Sequence, residues 1–269
     1  MKIAIAGAGG RMGRTLVRMI TEGGHGTVSG GLEHPDSPAL GQDLGTLAGI
    51  GELGVAASAD RDAIFAEADV VIDFTLAEAT SLNALAAAEA GTAFVVGTTG
   101  MNPEQQARID EAAKTVAVMQ AGNMSLGVNL LVQVTKQVAG ALGLDWDVEV
   151  VESHHRWKVD APSGTALMLG KAAAEARGQD HDAVAVGGRY GITGERKKGE
   201  IGYAALRGGN VVGEHSVVFA TDNERVTLGH IASDRSIFAA GAIRAALWVA
   251  DKPAGIYDMI DVLGLKSDG

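Results

Sequence analysis

The chain enters a strand almost at its first residue, and that strand runs straight into a glycine cluster. Lys2-Ile3-Ala4-Ile5-Ala6 is followed by Gly7-Ala8-Gly9-Gly10-Arg11-Met12-Gly13, and Met12, Leu16, Met19 and Ile20 then recur at helical spacing. Strand, glycine turn and helix in that order constrain the fold more than any other feature, because parallel strands are joined by helices packed on the sheet faces. The alternation continues. Thr27 to Leu32 reads as a second strand, and Asp69-Val70-Val71-Ile72-Asp73-Phe74 as a buried one followed by an Ala-rich helix ending near Gly91. Ala93 to Val96 is another strand, Asn102 caps a helix with Pro103 at its first position, and Val116 to Met119 completes the series. An α/β unit with a parallel sheet is predicted.

After Asn123 the character changes. A helix from about Gly127 to Leu142 leads to a strand from Asp147 to Glu152, a loop from Ser153 to Gly164 and a helix from about Thr165 to Arg177. Three strands follow: Glu200 to Leu206, Val211 to Ala220 and Glu224 to His230. The turn-like Arg207-Gly208-Gly209-Asn210 and Thr221-Asp222-Asn223 join them, which predicts antiparallel hairpins in a second domain. Ser236 to Ala250 is an Ala-rich helix, and Gly255 to Leu265 a short closing segment.

Composition narrows the chemistry. The 269 residues include 38 glycines but only five prolines, without a collagen-like period, so many tight turns and close backbone approaches are expected. A net charge of −11 argues against broad binding to nucleic acid or anionic lipid, which needs a basic surface. With no cysteine, thiolate zinc sites and covalent thiol chemistry are excluded. The opening apolar run is too short for a signal peptide, and no stretch approaches the roughly 18 residues of a membrane span. A soluble cytoplasmic protein is the expectation.

The glycine cluster carries the first chemical signal. Glycines let the backbone turn sharply and approach a pyrophosphate, whose charge meets free N–H groups at the helix N-terminus. The spacing from Gly7 is G-x-x-G-x-x-G rather than G-x-G-x-x-G, since position 12 is Met. Glu33, 20 residues beyond Gly13 at the end of the next strand, suits the adenosine ribose hydroxyls of a dinucleotide. Gly97-Thr98-Thr99 and Ala121-Gly122-Asn123-Met124 each follow a parallel strand, at the sheet edge where such ligands sit.

The second signal is Glu152-Ser153-His154-His155-Arg156-Trp157-Lys158-Val159-Asp160-Ala161-Pro162-Ser163-Gly164-Thr165. Two His, an Arg and a Lys within five residues form a cationic cluster in an acidic chain, which suits a compact anionic substrate. Adjacent His in an extended chain point to opposite sides, so a shared metal is disfavoured. His154 and Lys158 are read as sharing a face, a pair able to handle protons near neutral pH. Pro162-Ser163-Gly164-Thr165 reads as a helix entry whose N–H groups and hydroxyls hold a carboxylate. Trp157 is read as packing.

Nearly chain-long, the sequence resembles the 4-hydroxy-tetrahydrodipicolinate (dihydrodipicolinate) reductase family of diaminopimelate and lysine biosynthesis. The resemblance rests on Gly7 to Gly13, Val71-Ile72-Asp73-Phe74-Thr75, Gly97-Thr98-Thr99-Gly100, His154 to Thr165 and Val212-Gly213-Glu214-His215. It implies hydride transfer from NADH or NADPH to C4 of a small cyclic dicarboxylate, with loss of the 4-hydroxyl as water. By position in the motif, His154 is then a proton donor or acceptor and Lys158 a proton donor, while His155, Gly164 and Thr165 hold substrate carboxylates. Gly7, Ala8, Gly9, Gly10, Arg11, Met12, Glu33, Gly97, Thr98, Thr99, Ala121, Gly122, Asn123 and Met124 carry the dinucleotide, and no metal is called for. The resemblance also implies a Rossmann-like dinucleotide domain over residues 1–126, completed by 236–269. An α+β domain over 127–235, with a mixed open sheet, is expected to bind substrate and build a homotetramer.

One position departs from part of that family. Where some members follow the acidic residue with Arg, which meets the 2′-phosphate of NADPH, this chain has His34, and Glu33 itself repels that phosphate. NADH is therefore expected to serve at least as well as NADPH, although Arg11 offers a further charge. Two other readings stand beside this one: another two-domain nicotinamide oxidoreductase of a small anion, and a non-catalytic dinucleotide sensor. Arg235 is read as a substrate contact on closure or as a salt-bridge partner.

Overall fold

In the computed structural model, which describes residues 1–266, the chain divides into two compact units. One consists of Met1–Leu126 with the chain from Ser236 onward, and the other of Gly127–Arg235. In chain order the elements are β1 (Lys2–Ala6), α1 (Arg11–Gly23), β2 (Thr27–Leu32), α2 (Leu44–Ala48), β3 (Ala57–Ser58), α3 (Arg61–Glu67) and β4 (Val70–Asp73). Then come α4 (Ala77–Ala90), β5 (Ala93–Val96), α5 (Pro103–Ala112), β6 (Ala117–Gln120), α6 (Leu126–Leu142), β7 (Asp147–His154) and α7 (Gly164–Ala176). The remainder is α8 (His181–Val184), β8 (Ala185–Gly187), β9 (Ile201–Arg207), β10 (Gly213–Ala220), β11 (Arg225–Ala232), α9 (Ser236–Val249), β12 (Gly255–Tyr257) and α10 (Met259–Leu263).

The first unit is a seven-stranded sheet in the order β12-β6-β5-β4-β1-β2-β3, every pair parallel. Both of its faces are covered, as a parallel sheet requires. Ile3 and Ile5 of β1 turn to the side of α1 and α9, against Leu16, Ile20 and Ala242, while Ala4 and Ala6 turn to α3, α4 and α5, against Phe65, Ala87 and Ile109. A Cβ on Gly241 would collide with the Met124 carbonyl, so α9 lies directly against the chain that leaves β6. The order reverses at β1, whose neighbours are β2 and β4, and ligands of such sheets sit at the carboxyl ends of the strands beside the reversal. Among the described residues no helix is long and apolar enough to cross a membrane.

The second unit is a five-stranded sheet in the order β11-β10-β7-β9-β8. Val148, Val150, Ile201, Tyr203, Val217 and Phe219 line its inner face, packed with Leu131 of α6 and Leu169 of α7. Two expectations need correction. β9 and β10 do not form a hairpin, because β7 lies between them, parallel to β9 and antiparallel to β10. The turn residues after β9 report that the chain reverses, but not which strand becomes its neighbour. β7 is buried at every second residue, so it takes a central place with both edges paired. The strand also runs two residues past Glu152, since Ser153 and His154 stay in register with Leu206 and Arg207.

Candidate active site

In the first unit, Gly7 has φ +76°, a left-handed conformation that a side chain would resist. A Cβ on Gly13 would run into the Gly7 carbonyl and Ala8, so the start of α1 packs on the end of β1. Helix α1 opens at Gly10 with no side-chain cap and no acidic residue in its first turn, leaving that end suited to an anion. Of the residues expected there, Ala8 is buried, Arg11 is exposed and Met12 is half-buried against the core. Glu33 stands beyond the end of β2, where its Oε1 accepts the Gly9 N–H at 2.6 Å. A cleft of 590 Å³ beside the loop is lined by Gly7, Glu33, His34, Asp60, Arg61 and Asp62 among others. Its rim thus carries three carboxylates against one guanidinium. His34 is 75% exposed and leans on Asp36 at 3.6 Å.

The loops after β5 and β6 come together at the same sheet end. Thr98, Thr99, Ala121 and Gly122 line a smaller cleft of 250 Å³. Beneath it lies Asp73, fully buried, which accepts from the Thr75 N–H at 2.7 Å and from Asn83 Nδ2 at 2.8 Å. Thr80 Oγ1 sits between Asp73 Oδ1 at 2.9 Å and Thr98 Oγ1 at 2.8 Å. Burial pushes the Asp73 carboxyl up, against the pull of these donors. Two of the expected nucleotide residues are not among those lining that cleft. The Met124 side chain is 2% exposed in the core, and Asn123 Oδ1 accepts the Ser125 N–H at 2.8 Å.

In the second unit the sequence-predicted residues divide. His154 ends β7 on its buried face, and its Nδ1 meets Glu152 Oε2 at 2.6 Å. A carboxylate only accepts, so that nitrogen carries the proton, and in the neutral ring Nε2 is left as the acceptor. Glu152 Oε1 also accepts the Ser163 N–H at 3.1 Å, and Ser163 caps α7 by accepting from the Ala166 N–H at 3.2 Å. His154 is thereby tied to the turn that presents Gly164 and Thr165. His155 points elsewhere: its Nε2 lies 3.4 Å from Arg235 Nη2, and its ring lies 5.8 Å from that of Trp157. Lys158 pairs with Asp160 at 2.8 Å, which holds the Asp160 carboxyl below the usual range. Trp157 is not core packing, being 65% exposed with the Arg156 guanidinium 5.8 Å from its ring. Its ring lies against His155 and Arg156, its neighbours along the chain.

Sequence reasoning gave no role to Glu152, Arg207 or His215, which complete this cluster with Ser163. The Arg207 guanidinium grips Glu152 at 2.7 Å to each oxygen. His215 Nε2 lies 3.0 Å from Ser163 Oγ, and its ring meets the His154 ring edge to face at 5.0 Å. The i, i+2 spacing of Glu152 and His154 was a usable signal, since alternate residues of a strand share a face. Arg207 and His215 come from strands far along the chain and left no local signal. Among the described residues no group of His, Asp or Glu is placed to hold a metal ion.

Burial, reinforced by nearby His154, pushes the His215 imidazole down from 6.5 to about 4. Well above pH 6.5 it is neutral in folded and unfolded chains alike and has no effect on stability. As pH falls toward 4, the unfolded chain gains a proton that the folded one refuses, so stability declines. The unfolding temperature is expected to drop across that window, and less steeply in His215→Asn. An equally steep drop in the variant would show that His215 is not the source.

The first unit corresponds to the family model "Dihydrodipicolinate reductase, N-terminus" over residues 1–124, and residues 127–263 match "Dihydrodipicolinate reductase, C-terminus". The 4-hydroxy-tetrahydrodipicolinate reductase of Roseobacter denitrificans is 56% identical over 266 residues, covering 99% of this chain and 98% of the relative. That of Parvibaculum lavamentivorans is 55% identical over 267 residues, with the same coverage. Among solved structures, a dipicolinate-bound dihydrodipicolinate reductase from Paenisporosarcina sp. TG-14 shares the fold at TM-score 0.77 and 21% identity, over 97% of this chain and 98% of that one. An amine dehydrogenase from Mycobacterium smegmatis shares it at TM-score 0.63 and 15% identity, over 95% of this chain and 94% of the other. On both halves and over its near-full length, the chain belongs to the dihydrodipicolinate reductase family.

Proposed function

We propose that this chain reduces 4-hydroxy-tetrahydrodipicolinate to tetrahydrodipicolinate, the step of diaminopimelate and lysine biosynthesis for which its relatives are named. The observation that carries the reading is the fixed imidazole of His154 beside the entry of α7, in a family of that activity. The nicotinamide coenzyme, once bound, supplies a hydride to C4. One proton completes the balance, and the 4-hydroxyl leaves as water. The glycine turn, with Gly7 in the left-handed region and the uncapped end of α1, fits a dinucleotide pyrophosphate. Gly7, Ala8, Gly9, Gly10, Arg11, Met12, Glu33, Gly97, Thr98, Thr99 and Ala121 to Met124 would hold the coenzyme, Asn123 and Met124 through backbone.

Gly164, Thr165 and His155 hold the substrate carboxylates in this reading, and His154 moves a proton at Nε2. Lys158 donates a proton as charge develops on the ring nitrogen, an electrostatic role that suits an ammonium. Lys158→Ala is expected to cut kcat at least about a hundredfold while nucleotide affinity stays near wild type. Retained kcat would remove Lys158 from the reaction.

The coenzyme cleft favours NADH. A 2′-phosphate there faces Glu33, Asp60 and Asp62, with Arg61 and the exposed His34 as the nearby cations. Steady-state kcat/KM is expected to be at least as high with NADH as with NADPH at neutral pH. A tenfold advantage for NADPH would overturn this.

The outer face of the five-stranded sheet supports a homotetramer. Register places Leu206, Ser153, Glu214 and Ile231 in one row across β9, β7, β10 and β11, with Leu206 59% and Ile231 71% exposed. Sedimentation is expected to give a tetramer for the wild type and smaller species for Leu206→Glu/Ile231→Glu; a monomeric wild type would refute it.

A further inference from the structure

The buried end of β7 holds more than the His154 imidazole. Glu152, two residues earlier on the same face and 2% exposed, receives N–H donors from three separate stretches of chain. Its Oε2 takes His154 Nδ1 at 2.6 Å and Arg207 Nη1 at 2.7 Å. Its Oε1 takes Arg207 Nη2 at 2.7 Å and the Ser163 N–H at 3.1 Å. We propose that Glu152, anchored by Arg207, is the positioning residue that keeps the His154 proton on Nδ1 and presents Nε2 to the reacting atoms. This rests on the reading of His154 as a proton-handling group.

Arg207 acts as an anchor and not as a substrate contact, because its terminal N–H groups are already spent. Beyond Glu152, Nη1 donates to the Leu206 carbonyl at 2.6 Å and Nη2 to the Asp160 carbonyl at 2.7 Å. Both carboxylate oxygens are therefore fixed, and the imidazole cannot change tautomer without facing an acceptor with a bare nitrogen. On the other side of the ring, residue 213 brings no side chain. A Cβ on residue 213 would stand 3.1 Å from His154 Nε2, and that residue is glycine.

Glu152→Gln reverses the hydrogen bond to His154 while keeping the Ser163 bond and one of the two Arg207 bonds. The amide oxygen in place of Oε1 still accepts from the Ser163 N–H and Arg207 Nη2, while the amide nitrogen in place of Oε2 gives up the Arg207 Nη1 bond, donates to His154 Nδ1 and forces the proton onto Nε2. The imidazole then offers the reacting side a donor in place of an acceptor. Changing an acidic partner to its amide in this way has cost other His-based enzymes up to about 10⁴ in kcat.

The test measures kcat and KM, for substrate and coenzyme, in Glu152→Gln, His154→Gln and the double variant. Each single change is expected to lower kcat at least about thirtyfold with KM within about threefold, and the double variant to be no slower than His154→Gln. A group that acts through His154 has nothing to position once that ring is gone. If the double variant instead loses the product of the two single factors, Glu152 is a strand tether and the proposal fails. Wild-type kcat in Glu152→Gln also overturns it, whereas wild-type kcat in His154→Gln overturns the underlying reading of His154. Should Glu152→Gln not fold, Arg207→Lys keeps the charge but loses the two-pronged grip. It is expected to lower kcat with His154 present and to leave it unchanged in the His154→Gln background; equal losses in both would sink the anchor.

Discussion

A single buried carboxylate organises the chemistry of the second unit. Burial works to raise the Glu152 carboxyl, yet Arg207 and His154 together hold it below its ordinary value, so it stays ionised. The partner guanidinium is held above its own ordinary value by the same contact. Removing the guanidinium would leave the Glu152 charge buried and unpaired, a loss of about 3–5 kcal/mol in comparable cases. The cluster joins β7, the end of β9 and the entry of α7 by hydrogen bonds of 3.1 Å or less. The orientation of the imidazole and the helix entry therefore rest on one group.

The first unit solves a different problem, which is how to bring backbone close to an anion without placing a lysine there. Glycine at positions 7 and 13 permits the turn and the contact of α1 with β1, and an uncapped helix end supplies the field. Glu33 bonds the Gly9 N–H, so the acidic residue braces the loop as well as facing the cleft. Buried Asp73 does similar work one strand over, tying Thr75, Thr80 and Asn83 below Thr98. In both places a carboxylate orders backbone and hydroxyl groups at the sheet's carboxyl end.

Much of the fold was legible because its signals are local. β1, β2, β5 and the capped start of α5 lie where apolar runs, Gly91 and Asn102-Pro103 put them. The unforeseen elements are short or amphipathic only in part: α2 and α3 have five and seven residues, β3 has two and β8 three. Such pieces are held by their neighbours more than by their own pattern. In the site, His154 and the Ser163 cap were legible from type and spacing. The partners of His155 and Lys158, Arg235 and Asp160, were not, since they depend on where a turn points side chains after the strand ends.

By itself the sequence determined the alternation of strand and helix, the glycine turn, the His-Lys segment and the absence of thiol chemistry. Each is written in residues that are neighbours along the chain, where backbone conformation and side-chain period are decided. Only the tertiary structure decided that β7 lies between β9 and β10, and that Arg207 and His215 join Glu152 and His154. These partners are 55 and 61 residues apart in the chain. They meet because both edges of a buried strand must find backbone partners, and because a buried carboxylate must find its cation wherever the sheet brings one.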